Sequence, residues 1–308
     1  MVMEKPLEPT TDDCCNSGCN PCIFDIYEKQ LKLYNKYLES GEKYDNLNSQ
    51  VNGIAQLKYT NFIVVENMAL CNMHRLITFK RETPNGNVWW KPGDHFLFKY
   101  SGTKTTCTRA YTPVKTHYKQ SEGYDFSIVV KKYDNGLVST YLCSLNTGDL
   151  TSWRGPYGHY NLEPNMYDKI IMIAQGTGIA TFITIIDNIL KNEDDNTKIL
   201  LLYCCKCDNI ILFREELYAF RSYWNFKYEV IHNIITCVYL FNTYQSTSTE
   251  PTLHAFPDIT KTGVGISYKH IILIMTFLFV ARENTCRPFN LHLVVESGDL
   301  TRKPFWFK

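Results

Sequence analysis

Four short motifs follow one another along this chain: Arg109-Ala110-Tyr111-Thr112-Pro113, Gly136-Leu137-Val138-Ser139, Arg154-Gly155-Pro156-Tyr157-Gly158 and Gly176-Thr177-Gly178. Each alone is common, since Arg-x-Tyr-Thr-Pro is usually a strand end and Gly-x-x-Ser a turn. Their order constrains the fold because the pattern around them changes. Over residues 59–160, short runs rich in Val, Ile, Phe, Tyr and Thr alternate with the turn residues Pro84-Asn85-Gly86, Lys91-Pro92-Gly93-Asp94, Asp134-Asn135-Gly136 and Asn146-Thr147-Gly148-Asp149. This spacing predicts an antiparallel β-barrel or sandwich rather than a parallel sheet. Gly155, Pro156 and Gly158 mark the bend where the barrel ends. Beyond it come an apolar run over 169–174, the Gly176-Thr177-Gly178 turn, a helical apolar pattern over 179–190 and a second apolar run over 198–204. A helix between two apolar strands predicts a parallel α/β sheet.

The residue types within these motifs suit two nucleotide cofactors. A flavin dinucleotide needs a cation for its pyrophosphate, hydrogen-bond partners for its ribityl and ring atoms, and backbone amides that reach its phosphates. Arg109, Tyr111 with Thr112, and the Gly136–Ser139 turn supply these in order. A strand, glycine turn and helix bring backbone amides and a helix N-terminus to a second pyrophosphate. The full Gly-x-Gly-x-x-Gly fingerprint is absent at Gly176-Thr177-Gly178, so context carries that reading.

The charge balance, 32 Lys and Arg against 31 Asp and Glu, gives no basic surface for nucleic acid. Residues 1–13 lack the cationic start and apolar core of a secretory signal. The longest apolar run, 271–281, has roughly half of the ~20 residues needed to span a bilayer, and its residues 271–280 are expected as a buried strand. A cytoplasmic protein with no transmembrane segment is expected, and most of its 12 cysteines are expected as reduced thiols.

Four of those cysteines, Cys14, Cys15, Cys19 and Cys22, crowd into a polar segment near the start. The Cys19-x-x-Cys22 spacing lets two thiolates grip one tetrahedral ion, with Cys14 or Cys15 completing the shell. A reduced cysteine-rich cap is the alternative, since no second spaced pair is visible. Ile23, Ile26, Tyr27, Leu31, Tyr34 and Leu38 then recur at helical spacing, with Gly41 as a stop. The expected organisation is a cysteine-rich segment and helix over 1–41, a linker over 42–56, the barrel over 57–160 and the α/β domain over 161–308.

With these motifs in place, residues 59–217 resemble NADH-cytochrome b5 reductase, within the ferredoxin-NADP reductase superfamily. Residues 6–34 resemble a short "oxidoreductase-like" N-terminal module. The resemblance implies FAD and NADH as cofactors, hydride transfer from NADH to FAD, and release of single electrons to cytochrome b5 or a similar haem protein. A peripheral membrane location through that acceptor would follow. It also implies that Arg109 pairs with the FAD pyrophosphate and that Ala110 belongs to the same cofactor strand. Tyr111 packs along the flavin, Thr112 sits near its reactive ring nitrogen, and Val138 and Ser139 present phosphate-binding amides after Gly136. Val130, Lys131 and Tyr133 lie near the flavin and incoming nucleotide, and Gly176, Thr177 and Gly178 form the nicotinamide nucleotide turn. Thr112 and Lys131 tune the reacting ring.

Two departures from the family pattern stand out. Residues 210–217 match the family's next helix, and the acidic residue that commonly lies just before it for the adenosine ribose is replaced by Ile210, with Asp208 two positions earlier, which leaves NADPH open beside NADH. The C-terminal Cys-Gly-Pro is represented only by Cys286-Arg287-Pro288, which makes Cys286 a candidate catalytic residue in an altered setting. Two other readings therefore stand beside the reductase: a flavin-binding protein with impaired NADH use, and a metal-binding interaction protein acting through its N-terminal cysteines. Oligomeric state is not legible.

Overall fold

The computed structural model describes residues 5–14, 21–40, 52–83, 86–103, 105–115, 123–158, 160–206 and 208–232, and the backbone of two further strands at 271–279 and 289–297. The first sheet is antiparallel. It comprises β1 (Thr60–Cys71), β2 (His74–Arg81), β3 (His95–Ser101), β4 (Thr106–Tyr111), β5 (Phe126–Lys131) and β6 (Leu150–Tyr157), in the order β4-β3-β6-β1-β2-β5. Its two edge strands are drawn together by one bridge. Val114, just past β4, donates to and accepts from Ser127 of β5 at 2.8 and 3.0 Å. The predicted barrel is thus a six-stranded sheet curled round until its ends meet at a single rung.

Aromatic side chains fill the curl. Phe62, Phe79, Phe96, Phe98, Phe126 and Trp153 are all essentially without exposure. Ring pairs such as Phe96–Phe126 at 4.9 Å and Phe79–Trp153 at 5.0 Å meet edge to face. Each such ring contributes about 1.5–3 kcal/mol by burial alone, which lets a small sheet hold its shape. Trp153 places its indole N–H on Thr151 Oγ1 at 2.9 Å, so the largest core ring is also satisfied. The short helix α2 (Leu137–Ser144) lies between β5 and β6.

The second sheet comprises β7 (Lys169–Gln175), β8 (Lys198–Cys204), β9 (Phe226–Ile231), β10 (Ile271–Phe279) and β11 (Phe289–Ser297), in the order β11-β10-β7-β8-β9. β10, β7, β8 and β9 run parallel, and β11 is antiparallel to β10 at the edge. The apolar run at 271–279, read from sequence as a buried strand, thus lies directly beside β7. Helix α3 (Ile179–Lys191) is buried along Ile179, Phe182, Ile183, Ile186, Ile189 and Leu190, which recur at helical spacing. Helix α4 (Arg214–Phe220) starts later than the stretch 210–217 suggests. Phe213, 2% exposed, is held in the left-handed region at φ 56° and blocks helix before it.

The two sheets share a core. Leu76, Val114 and Val129 from the first belong to the same buried cluster as Ile170, Ile179 and Leu201 from the second. Helix α1 (Ile23–Ser40) packs on the outside of the first sheet, where Ile26 meets Leu97 and Tyr157 against Leu57 and Ala110. Asp25 starts this helix by accepting the Cys22 backbone N–H at 2.8 Å. Of the predicted helical stripe, Ile23 and Ile26 are buried while Leu38 is exposed, so only the first turns dock. Cys14, Cys22, Cys71, Cys107, Cys143 and Cys205 are outside any disulfide, as expected; Cys204 is disulfide-bonded.

Candidate functional site

Alternation along β4 sends Arg109 and Tyr111 to one face and Ala110 to the other. Ala110 therefore packs under α1, and Tyr111 joins the aromatic core with its ring 6.0 Å from Trp153. Burial raises the Tyr111 pKa, Arg109 opposes that rise, and Cys143, Cys107 and Tyr133 add to it. The group is therefore a neutral phenol with a proton to donate. Arg109 gives one N–H to the Thr108 carbonyl at 2.8 Å. Among the described residues it has no carboxylate partner, so its charge is available to an anionic ligand.

Thr112 follows the strand. Its Oγ1 lies 3.4 Å from Oγ1 of Thr181, a buried residue in the first turn of α3. This hydroxyl pair connects the two halves of the molecule at the point where both motifs end.

Val130 and Lys131 close β5, with Val130 buried and Lys131 half-buried. The Lys131 ammonium lies 5.1 Å from the Tyr133 ring centre. Burial lowers the Lys131 pKa, and the charge of Lys206 lowers it further. Burial also raises the Tyr133 pKa. The turn after Tyr133 is locked by side chains. Ser139 Oγ accepts from the Tyr133 N–H at 3.2 Å and donates to the Gly136 carbonyl at 3.1 Å, while Thr140 Oγ1 donates to the Tyr133 carbonyl at 3.2 Å. A Cβ on Gly136 would lie 2.4 Å from that same Ser139 oxygen, so glycine is required by close approach. The first helical bond of α2 runs from Thr140 to Gly136, which leaves the amides of Leu137, Val138 and Ser139 free of helix partners.

The second half is built from backbone. β7 ends at Gln175 and passes through a 3-10 turn, Gly176–Gly178, straight into α3. Gly176 sits at φ 54° with nothing within 4 Å of the place a Cβ would take. That combination leaves an open approach to the turn's amides and to the N-terminus of α3. The strand order reverses here, because the chain leaves β7 for β8 on one side while β10 lies on the other. In open parallel sheets, that reversal opens the crevice in which dinucleotides lie. The free cation, free amides and open glycine turn fit two pyrophosphate-bearing cofactors.

Among residues not marked by sequence, Thr181 and His74 belong to the same junction. His74, at the start of β2, pairs across the ladder with Lys131 and is 5% exposed. Its Nδ1 lies 3.1 Å from Cys71 Sγ, and its Nε2 is buried without a hydrogen-bond partner. Burial, and then the Lys131 charge, lower its pKa to about 4. A histidine on a strand carries no sequence signal for this; only the register reveals it.

Cys286 lies outside the described residues, as do Cys15 and Cys19. Cys14 and Cys22 are half-buried and not disulfide-bonded. Among the described residues, no cluster of three metal-ligating side chains is present. Also among them, no helix is long and apolar enough to cross a membrane.

Residues 61–162 match the family described as "Oxidoreductase FAD-binding domain", and 172–234 match "Oxidoreductase NAD-binding domain". Residues 1–43 match "Oxidoreductase-like protein, N-terminal". Over 230 residues the chain is 32% identical to a Mus musculus protein named "NADH-cytochrome b5 reductase-like", covering 72% of this chain and 71% of that one. The Homo sapiens protein of the same name is 30% identical over the same shares. Among solved structures, the cytochrome b5 reductase domain of Ulva prolifera nitrate reductase superposes with a TM-score of 0.51 at 27% identity, covering 58% of this chain and 75% of that one.

Proposed function

Since the chain belongs to the NADH-cytochrome b5 reductase-like family of FAD- and NAD-binding oxidoreductases, we propose that it passes a hydride from a reduced nicotinamide nucleotide to FAD and then single electrons to a haem protein of the cytochrome b5 kind. The observation that carries this reading is the Thr112–Thr181 hydroxyl contact. It brings the end of the Arg-x-Tyr-Thr strand and the first turn after Gly176-Thr177-Gly178 to one point, as transfer between two stacked rings requires.

Each residue then has a task. Arg109 holds the FAD pyrophosphate with its free guanidinium donors, and the amides of Val138 and Ser139 add to that grip at the start of α2. Tyr111 donates its phenolic proton along the flavin, and burial keeps that proton in place. Thr112 sets its hydroxyl beside the reacting ring, held by Thr181. Val130 and Tyr133 form the wall of the junction, and Lys131 neutralises the incoming nucleotide. Gly176, Thr177 and Gly178 give backbone amides to the nucleotide's pyrophosphate. The shared core of Leu76, Val114 and Val129 keeps water from the junction's base. FAD itself, when bound, supplies the conversion of a two-electron donor into single electrons.

The test is an anaerobic titration of the purified chain with reduced nucleotide, followed by oxidised cytochrome b5. Flavin bands that bleach and then return as the haem is reduced support the reading. Flavin that stays oxidised marks a cofactor-binding protein without nucleotide use, and absence of flavin overturns the proposal.

A further inference from the structure

Arg109 and Tyr111 stand on β4, at the edge of the first sheet, where β3 is the strand's one ladder partner and the Val114 rung lies beyond its end. A strand bonded along one side has less to resist local opening. Ala110, between the two, points to the opposite face. It is one end of a row that crosses three strands. Register sets Ala110 opposite Leu97 of β3, and Leu97 opposite Arg154 of β6. Paired residues share a face, so these three form the outer surface directly behind Arg109 and Tyr111. On the inner face Phe98 pairs with Arg109 and with Trp153, and Phe96 pairs with Tyr111.

The N-terminal segment grips both ends of the outer row. Ile26 of α1, 6% exposed, shares a small buried cluster with Leu97, and Ala110 packs against that cluster. Alanine at 110 keeps the strand's back low enough for the helix to reach it. At the other end Asp13 closes a 3-10 turn, Thr11–Asp13, that also touches β4. Its carboxylate accepts from Arg154 Nη1 at 3.3 Å, and its carbonyl accepts from Nη2. The Thr10 N–H and hydroxyl, each 2.9 Å from Asp13 Oδ2, fix that carboxylate. Arg154 is 1% exposed, so its charge is costly to leave unpaired. The edge strand is thus clamped between the aromatic core in front and the N-terminal segment behind. A ligand group is only as well placed as the layer that supports it.

We propose that the Thr11–Asp13 turn and α1 are a brace for the flavin strand, with Ile26 and Asp13 as positioning residues that hold Arg109 and Tyr111 in place from behind. This rests on β4 being the strand that binds FAD. The test is the release of FAD from the loaded full chain, followed as free-flavin fluorescence after dilution, without nucleotide and below the melting range of every variant. Ile26→Ala is expected to release flavin about 10-fold faster and Asp13→Asn about threefold faster, while Ile26→Val stays within about twofold of wild type. Phe220→Leu is the control. It opens a cavity in the nucleotide half, where Phe220 is 4% exposed with its ring 5.6 Å from Phe226, and it should lower the melting temperature without moving release. The visible circular dichroism of bound flavin should change in Ile26→Ala and not in Phe220→Leu. Release unchanged in Ile26→Ala and Asp13→Asn overturns the proposal even if both melt earlier, as does equal acceleration by Phe220→Leu. If Ile26→Ala does not fold, Asp13→Asn set against Phe220→Leu decides alone. Wild type that holds no FAD overturns the proposal together with the flavin reading. Flavin that is held and braced but is not reduced by nucleotide supports the brace and removes only the hydride transfer.

Discussion

The flavin half and the nucleotide half of the junction are built by opposite means. On the flavin side the proposed ligand groups are side chains and one tied turn, whose positions are over-determined. Tyr111 is wedged against Trp153, and the Gly136 turn is cross-tied by Ser139 and Thr140. On the nucleotide side the proposed ligand groups are mostly amides, and the feature that exposes them is a glycine with empty space around it. One site is specified by what is present and the other by what is missing. Substitutions should therefore fail differently in each: loss of a group on the first side, gain of a group on the second.

Arg109→Ala is expected to have the largest effect. It removes charge-assisted bonds worth about 1.5–3 kcal/mol each, so flavin affinity should fall roughly 100-fold while the aromatic core keeps the fold. The flavin-to-protein absorbance ratio after gel filtration, set against an unchanged circular dichroism spectrum, checks this. Gly176→Ala is the counterpart by addition. The new methyl meets nothing in the protein, so folding loses only about 1 kcal/mol for the left-handed backbone. On the proposed assignment of the turn, the same methyl would stand in the path of the nucleotide, and flavin reduction should need about 30-fold more nucleotide, near 2 kcal/mol. Full flavin content with weakened nucleotide use would sharpen the contrast. Loss of flavin in Gly176→Ala would break it.

What could be read from sequence follows the same division. Arg109, Tyr111, Thr112, Gly136 and Ser139 stood out in the sequence because the tasks proposed for their side chains, or for the lack of one, are ones that few other residue types can perform. Gly176-Thr177-Gly178 was legible only through the strand before it and the helix after it. The run at 271–279 announced a strand, but apolar periodicity does not name a partner, and its place beside β7 emerged only from pairing. The later start of α4 depends on Phe213 turning into the core at a positive φ, which helix propensity does not anticipate. Contacts between distant residues carried no sequence signal: Thr112 with Thr181, His74 with Lys131, and Arg154 with Asp13, which are 141 positions apart.

That last pair extends the flavin half to the N-terminal segment. Arg154 is 1% exposed, pairs with Asp13 at 3.3 Å, bonds the Asp13 carbonyl, and lies over the Tyr59 ring at 4.7 Å. Asp13→Asn would leave a buried cation without its counter-charge and should destabilise the protein by about 1.5 kcal/mol, less than a fully buried pair because Asp13 is partly exposed. Burial works to raise the Asp13 pKa, but hydrogen bonds from Thr10 and the charges of Arg154 and Lys99 outweigh it, so the net shift is downward. Its contribution is therefore present above the ordinary carboxylate pKa and is lost as pH falls through the lowered value. Thermal melts of wild type and Asp13→Asn should converge in acid. Nucleotide affinity should not change, because the clasp is on the outer face of the first sheet.

The smallest expected effect at neutral pH lies where the two halves meet. His74 titrates near 6.5 when unfolded and at about 4 when folded, because burial and then the Lys131 charge disfavour its protonated form. The unfolded chain therefore binds the extra proton first as pH falls. Stability is fully present above 6.5, declines between 6.5 and about 4, and levels off below. His74→Gln removes the titrating group and should flatten the decline across that window in denaturant melts. If the histidine acts only on the fold, nucleotide affinity should show no matching step. A step in nucleotide affinity within the same window, absent in His74→Gln, would show that a charge beside Lys131 reaches the ligand. The nucleotide side would then depend on a side chain of the flavin half as well as on its own backbone.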